Sequence, residues 1–579
     1  VVGGVAGGMS AAARARRLDE NAEIVVFERG DHPSFANCGL PYYVGGEIEN
    51  EESLLVQTPA SLKAALNLDV RTGHTVTGVD VTAKTVTVES PSGTHVVSYD
   101  ALVLAPGAVA LRPAIAGIDS PRVHTLRTVS DALTLRERVD SGATRAVVLG
   151  AGFIGLEAAE ALRAQGLEVA VVELASHVLP PLEREMAFLV RAELTRLGIT
   201  VFDGVAATAI ESVEQGGAEQ GGAEQGGAEQ GGAEQDRAEQ GDVVVLSDGR
   251  RLPADVIVLS VGVRPDTAPF EAAGVACERG AIVVDEHGRT SAPSVWAVGD
   301  ATVSTDAVTG VRRPVALAGP ANRAGRLVAD SILGLAGARP IPQPVGTAIV
   351  RVGGLTAALT GANRASLRAA GIAFHSFHLH PDSHASYFPG AAQIHLVLHV
   401  RDGDGLLLGA QAVGAEGVDK RIDVLATAIR FGATAAELID LDLAYSPPYG
   451  SAKDPVNLGG MMAENAATGV LRQWYPWQID EVLTSALVLD VRSAAEFATG
   501  HFRGALNIPH THLRERLDEV RAASGGRAVR VHCASGKRSY LAHRILDEAG
   551  FDSANLSGGM LTARAWLGER ADDLLEKAE

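Results

Sequence analysis

An α/β fold built on parallel sheets is predicted, and three observations predict it. Two glycine-rich turns, Gly3 to Gly8 and Gly150 to Gly155, each stand between an apolar strand and an amphipathic helix. That is the βαβ arrangement of a Rossmann-like dinucleotide-binding unit. A further strand and turn, TSAPSVWAVGDA, carries Asp300, and the last hundred or so residues again alternate short apolar strands with helical patterns. At about 150 residues per domain, 579 residues suggest about four domains.

Composition narrows the function. Hydrophobic residues make up 46% and charged residues 21% of the chain, the balance of a globular protein. The net charge of −20 argues against nucleic acid as a partner, since phosphate backbones are bound by clustered Lys and Arg. No apolar run reaches the roughly 18 residues of a spanning helix, so no membrane partner is expected. Val1 opens directly into a glycine turn with no signal peptide, and in the absence of an initiator Met a few residues are expected to precede it. Three cysteines, Cys38, Cys277 and Cys533, cannot form a disulfide framework. They point to a reducing compartment, and a cytoplasmic protein is expected.

The elements follow in order. In the first turn Gly3 permits the tight bend and Gly8 the close helix–strand packing, although Val5 replaces the middle glycine. Glu28 ends the next strand, where an acid can bind a ribose hydroxyl, and the pyrophosphate would sit on the helix N-terminus. The second turn is complete, with Gly150, Gly152 and Gly155, and Glu173 ends its second strand. Glu173 favours NADH over NADPH, because a carboxylate repels a 2′-phosphate, but either remains open. Two such units imply two dinucleotides, and so a flavin reduced by a nicotinamide. Asp300 would then face the ribityl chain of FAD. The expected division is an FAD-binding domain over 1–112 and 262–330, and an NAD(P)-binding domain over 113–261. A mixed region over 331–450, a linker over 451–472 and a small α/β domain over 473–579 complete it. Residues 214–240 repeat a GGAEQ pentamer with a net charge of −6. Its flanks, TAIESVE and DVVVLSDGR, look like one hairpin, so the repeat is expected to be an inert, disordered, expanded hairpin loop.

The spacing of GGVAGG, GAGFIG and SVWAVGD resembles the pyridine nucleotide–disulfide oxidoreductases over about residues 1–465. The run SFANCGLPYYVGG narrows the likeness to the single-cysteine branch: coenzyme A-disulfide reductases, NADH oxidases and NADH peroxidases. A dithiol reductase needs two cysteines a few residues apart, and Cys38 has no such neighbour. Its redox partner is therefore external, giving a mixed disulfide with a small thiol, or is its own sulfenic acid. A lowered thiol pKa near a helix N-terminus would serve either chemistry. Cys277 reads as structural. The resemblance implies that Ser10, Arg14, Arg17, Ser34, Asn37 and Asn322 hold coenzyme A. It also implies an α+β dimerisation domain over 331–450 and a homodimer. In that domain HASYFPGA brings Tyr387, and AYSPPYGSAKDPVN brings Tyr445, Tyr449 and Lys453, to the partner's substrate. A phenol there could protonate a departing thiolate. Phe388 departs from the family, where a second tyrosine often stands. The stretch VAGGMSAAARA lacks the histidine that handles oxygen species in the peroxidases.

The C-terminal segments LDVRSAAEFATGHFRGALNIP and VHCASGKRS resemble a rhodanese domain over about 473–579. Asp490, Arg492, Glu496, Gly500, His501, Gly504, Ala505, Asn507 and Pro509 fall on that family's first motif. Cys533 opens a loop, Ala534 to Arg538, whose amides would stabilise a thiolate or persulfide. Lys537 and Arg538 would add positive charge for an anionic sulfur donor. Together the two resemblances imply an FAD-dependent NAD(P)H reductase of coenzyme A disulfide, coenzyme A persulfide or polysulfide, with small thiol and persulfide substrates. The alternative is an NADH oxidase or peroxidase that uses a Cys38 sulfenic acid.

Overall fold

The computed structural model describes residues 1–212 and 241–577. It forms two compact units. The first comprises Val1–Val178, Leu194–Asp306 and Gly310–Pro344, and the second Leu179–Glu193, Ala307–Thr309 and Val345–Glu579.

The first unit holds two parallel sheets. In one, Val2 bridges Phe27 on one side and Leu104 on the other, which joins the strand pairs Val25–Phe27/Asp69–Arg71 and Leu102–Leu104/Val295–Ala297. The second sheet runs Ile199–Asp203, Glu168–Glu173, Arg145–Leu149, Val256–Leu259, Val123–His124. Its inner strands are runs of Val, Ile and Leu with every residue buried in Val256–Leu259, as a sheet covered on both faces requires. Each parallel sheet carries a three-stranded antiparallel excursion, Thr75–Asp80/Thr85–Ser90/Gly93–Ser98 and Ala207–Ser212/Asp242–Leu246/Arg251–Ala254. In the latter, Ser212 pairs with Asp242, so the flanks of the repeat do form one hairpin. The loop expected over 214–240 lies outside the described residues. Helices Ala6–Leu18 and Ala318–Ile332 pack where a Cβ on Gly325 would come within 2.2 Å of the Gly7 carbonyl oxygen.

Two expected boundaries move. Residue 330 falls inside the helix Ala318–Ile332, and the chain stays with the first unit to Pro344, because Ile341 packs on that unit's apolar core and bonds Glu286. Leu179–Glu193, assigned above to the NAD(P)-binding domain, belongs to the second unit.

The second unit begins with an antiparallel sheet in the order Ala348–Val352, Leu355–Gly361, Leu407–Gly414, Ile394–Arg401, Phe374–Leu379. Helices Val418–Arg430 and Pro455–Ala467 close its apolar face. The segment 451–472 is therefore not a linker. Asp454 caps the helix in a box with Asn457, and Val456 and Ala463 lie in the core. The glycine pair that suggests a flexible link is there for space. A Cβ on Gly459 would lie 2.4 Å from Leu398, and one on Gly460 2.7 Å from the Ala435 carbonyl. A five-stranded sheet follows, Gln473–Trp474, Ser553–Leu556, Val529–His532, Leu487–Asp490, Leu506–Asn507, with all pairs parallel.

Candidate functional site

Both glycine turns fold by one device. Gly3 and Gly150 adopt φ of +93° and +99°, and a Cβ on Gly8 or on Gly155 would lie 2.0 Å from the carbonyl oxygen of Gly3 or Gly150 respectively. Each helix can start this close to its strand only without those side chains. A Cβ on Gly152 would meet nothing within 4 Å, so the middle of that turn is open. Neither helix that follows, Ala6–Leu18 or Phe153–Ala164, has a side-chain N-cap or an acidic residue in its first turn. The amides there remain for a phosphate, which fits a dinucleotide. The two acids mirror one another as well. Glu28 accepts from the amides of Gly4 (2.7 Å) and Gly30 (2.8 Å), and Glu173 from those of Ala151 (2.7 Å) and Ala175 (2.8 Å). Each carboxylate thus braces its own glycine turn and keeps lone pairs for a ribose hydroxyl.

Cys38 is exposed on the short turn Asn37–Gly39, directly before the helix Leu40–Val44. Asn37 donates to the Arg127 carbonyl at 2.7 Å, and the Arg127 guanidinium lies 3.7 Å from Asp300. Burial pushes the Asp300 carboxyl up, against the pull of Arg127. Arg127 thus links the Cys38 turn, through Asn37, to Asp300. The helix Leu40–Val44 also packs on Phe153–Ala164, where Tyr42 donates to Glu157 at 3.3 Å. The expected lowering of the Cys38 pKa is not what these groups produce. Partial desolvation of the sulfur, then the Glu157 carboxylate, push the thiol up. Glu157 was not singled out in the sequence, where it reads as one more polar helical position.

The residues expected to hold coenzyme A divide. Ser10 donates to Asn322 at 2.7 Å, which joins two of them across the helix pair. Arg17 is exposed. Arg14 is not a free cation, because its Nε is 2.6 Å from Asp330. Ser34 holds φ of +48°, and its amide bonds the Gly4 carbonyl, which anchors the loop before Cys38 to the first glycine turn.

In the second unit the phenols of Tyr387 and Tyr445 meet at 3.2 Å, both exposed, and that contact raises the Tyr387 pKa. Arg421 explains the meeting. It is 1% exposed, donates to the Ser383 carbonyl at 2.8 Å and pairs with Asp454 at 2.8 Å. It therefore ties the start of the Tyr387 loop to the end of the Tyr445 loop. Lys420 steadies the latter through the Ala444 and Tyr449 carbonyls, while Tyr449 and Lys453 remain exposed. No periodicity in the sequence marks Arg421, which reads as a helical surface residue.

Cys533 directly follows the strand Val529–His532 and is 1% exposed. Ser539 donates to its sulfur at 3.3 Å. Arg538 forms a two-point pair with Glu496 at 2.6 and 2.8 Å, which raises its pKa above its already high ordinary value. Its charge is therefore shared with a carboxylate, while Lys537 is exposed. The first-motif residues are braces. Arg492 pairs with Asp490 at 2.6 Å and donates to the Gly500 carbonyl, and Asn507 donates to the carbonyls of Asp490 and Arg492. Cys277 pairs with Ile282 in a short two-stranded sheet. Among the described residues no helix is long and apolar enough to cross a membrane, and no group of three or more side chains could hold a metal ion.

Comparison with known proteins agrees with this layout. Residues 1–325 match the pyridine nucleotide-disulphide oxidoreductase family, 347–455 its dimerisation domain and 477–564 the rhodanese-like domain. A coenzyme A disulfide reductase of Staphylococcus haemolyticus is 32% identical over 80% of this chain and 99% of its own. An NADH oxidase of Methanocaldococcus jannaschii is 30% identical over 79% and 96%. The crystal structure of reduced Bacillus anthracis CoADR-RHD is 38% identical, with a TM-score of 0.91 over 98% of both chains. An NAD-dependent persulfide reductase from A. fulgidus is 37% identical, with a TM-score of 0.87 over 97% of this chain and 99% of its own. The chain is an enzyme of the pyridine nucleotide-disulphide oxidoreductase family that carries a C-terminal rhodanese-like domain.

Proposed function

We propose that the enzyme reduces the sulfur–sulfur bond of coenzyme A disulfide, coenzyme A persulfide or a polysulfide with NAD(P)H, and that Cys38 is the thiol that attacks it. The observation that carries this reading is a lone exposed cysteine with no second thiol in its loop, a loop tied to the first glycine turn through Ser34 and to Arg127 through Asn37. The relatives named as coenzyme A disulfide reductase and persulfide reductase support the substrate class.

The Cys38 thiolate attacks one sulfur of the substrate and forms a mixed disulfide, while the other sulfur leaves as a thiolate. Tyr387 or Tyr445 supplies that thiolate's proton, the phenols being hydrogen-bonded to one another and exposed. Bound FAD would carry two electrons from the nicotinamide to the mixed disulfide. Cys38 is then regenerated and the second thiol is released, so that one disulfide and one NAD(P)H with a proton give two thiols and NAD(P)⁺. Gly3, Gly8 and Glu28 would hold the FAD adenosine end and Asp300 its ribityl chain, and Gly150, Gly152, Gly155 and Glu173 the nicotinamide dinucleotide. Ser10 and Asn322, with Arg17, Ser34 and Asn37, line the coenzyme A path, and Arg14 contributes through its pair with Asp330. Lys453 and the tyrosines act in a homodimer, each protomer completing its partner's site, as the matched dimerisation domain supports. The rhodanese-like domain handles sulfane sulfur at Cys533, with Lys537 and Arg538 toward the donor. Free cysteines suit a reducing cytoplasm.

Steady-state oxidation of NADH and of NADPH against coenzyme A disulfide, coenzyme A persulfide, polysulfide and oxygen tests the proposal. Turnover with a sulfur substrate at far above the oxygen rate is expected. The relative named NADH oxidase supports a second reading, oxygen or peroxide reduction through a Cys38 sulfenic acid. A rate with oxygen that matches or exceeds the sulfur rates would replace the first reading with the second.

A further inference from the structure

We propose that His380, with His378 beside it, is a positioning residue for Cys533. The antiparallel sheet holds the helix that shapes the sulfur-bearing loop of the neighbouring domain. The inference rests on the reading of Cys533 as a sulfur-transfer thiol.

The argument starts at the loop. The helix Gly559–Leu567 has no side-chain cap, and its first free amides are taken by the Cys533 loop instead. The amide of Met560 donates to the Cys533 carbonyl, and that of Leu561 to the Ala534 carbonyl, both at 2.9 Å. Asn555 donates to the Gly536 carbonyl at 3.1 Å. In trans peptides the amide that follows each carbonyl points the other way. Docking these carbonyls on the helix and on Asn555 therefore turns the amides of Ala534, Ser535 and Lys537 to the opposite side, toward an anion held there. The fit is close, since a Cβ on Gly559 would lie 2.7 Å from the Cys533 carbonyl oxygen.

That helix is held from outside its own domain. His380 donates through Nε2 to the Gly558 carbonyl at 3.1 Å, with Thr562 Oγ1 2.8 Å away. His378 accepts from the Ser557 hydroxyl at Nδ1 (2.9 Å), donates its backbone amide to the same oxygen (3.2 Å), and donates through Nε2 to Glu185 (2.8 Å). At the far end Arg364 lies between the rings of Trp477 and Trp566, at 4.6 and 5.5 Å, and pairs with Glu183 and Glu185. His378, Arg364, Glu183 and Glu185 are all buried. A seam with four buried polar or charged side chains is an expensive way to attach a passenger domain, and its histidines reach Ser557, Gly558 and Thr562 at the start of the helix that carries the Cys533 loop.

His380 is the position to test, because loss of His378 would also strip the buried Glu185 of one of its two partners, the other being Arg364. The probes are thiosulfate as donor and cyanide as acceptor, on the full-length holoenzyme. Cys533 takes the outer sulfur and sulfite leaves, then cyanide removes that sulfur as thiocyanate and restores the thiolate. In His380→Leu we expect kcat for transfer to fall by on the order of tenfold, with KM for thiosulfate little changed. The pH profile of iodoacetamide alkylation at Cys533, followed by peptide mass, should move to higher pH. His380→Gln, which keeps a donor near the Nε2 position, should recover most of both. NADH-linked reduction at Cys38 should stay at the wild-type rate in each variant, which separates a local effect from misfolding. Unchanged transfer and an unchanged alkylation profile in His380→Leu would overturn the proposal, as would equal damage in His380→Gln. Wild-type protein that transfers no sulfur would remove the rhodanese reading, and the alkylation profiles would still decide the role of His380.

Discussion

Cys38 sits on an exposed three-residue turn whose neighbours reach toward Arg127 and Asp300. Cys533 is sealed at a strand end, with Ser539 on its sulfur and its loop carbonyls tied to a following helix. The first thiol is exposed to a molecule that arrives and leaves, and partial desolvation, then Glu157, push its pKa up. The second is placed to hold a charge that bulk water does not reach. On the proposed function, one chain would separate electron delivery at the exposed thiol from sulfur storage at the buried one.

The largest expected break in this contrast is Cys38→Ser. NADH-linked reduction of coenzyme A disulfide should fall about a thousandfold or more while FAD stays bound, as read by steady-state rates and the flavin spectrum. Surviving turnover would mean that the exposed thiol is not the exchanging one. Next, Cys533→Ser should abolish transfer from thiosulfate to cyanide yet leave coenzyme A disulfide reduction within about twofold of wild type. Polysulfide turnover that also falls would show that sulfur is handed from one thiol to the other. A smaller effect sharpens the electrostatic half of the comparison. Glu157→Gln removes a nearby negative charge that disfavours the Cys38 thiolate, so its pKa should drop and alkylation at pH 7 should quicken, by about two- to fivefold. Cys533 in the same sample serves as the internal control. The smallest effect belongs to the repeat. Excision of residues 216–240 should leave both activities unaltered and shift Tm by about 1 °C at most, as calorimetry would show. A drop of several degrees would show that the repeat contributes to packing.

Much of this was legible in advance for physical reasons that repeat across proteins. A glycine turn between an apolar strand and a helix has few alternatives, so Gly3, Gly8, Gly150 and Gly155 announced their geometry. The hairpin around the repeat was legible from its two alternating flanks. The segment 451–472 was misread because glycine is ambiguous. At Gly459 and Gly460 it lets Leu398 and the Ala435 backbone approach rather than lets the chain flex. Glu157, Arg421 and His380 were illegible, because each acts through a partner far away in sequence. Tyr387 and Tyr445 came from family resemblance, and only Arg421 shows why the two loops leave the sheet together.

The pairing of Ser212 with Asp242 has a consequence for how this gene can drift. Ser212 and Asp242 close the hairpin on either side of the pentamers, so for the loop the sequence predicts there, gain or loss of a copy by replication slippage would cost about 0.2 kcal/mol in loop closure. Each GGAEQ copy brings one Glu. Each copy gained or lost would therefore change the net charge of the chain by one unit.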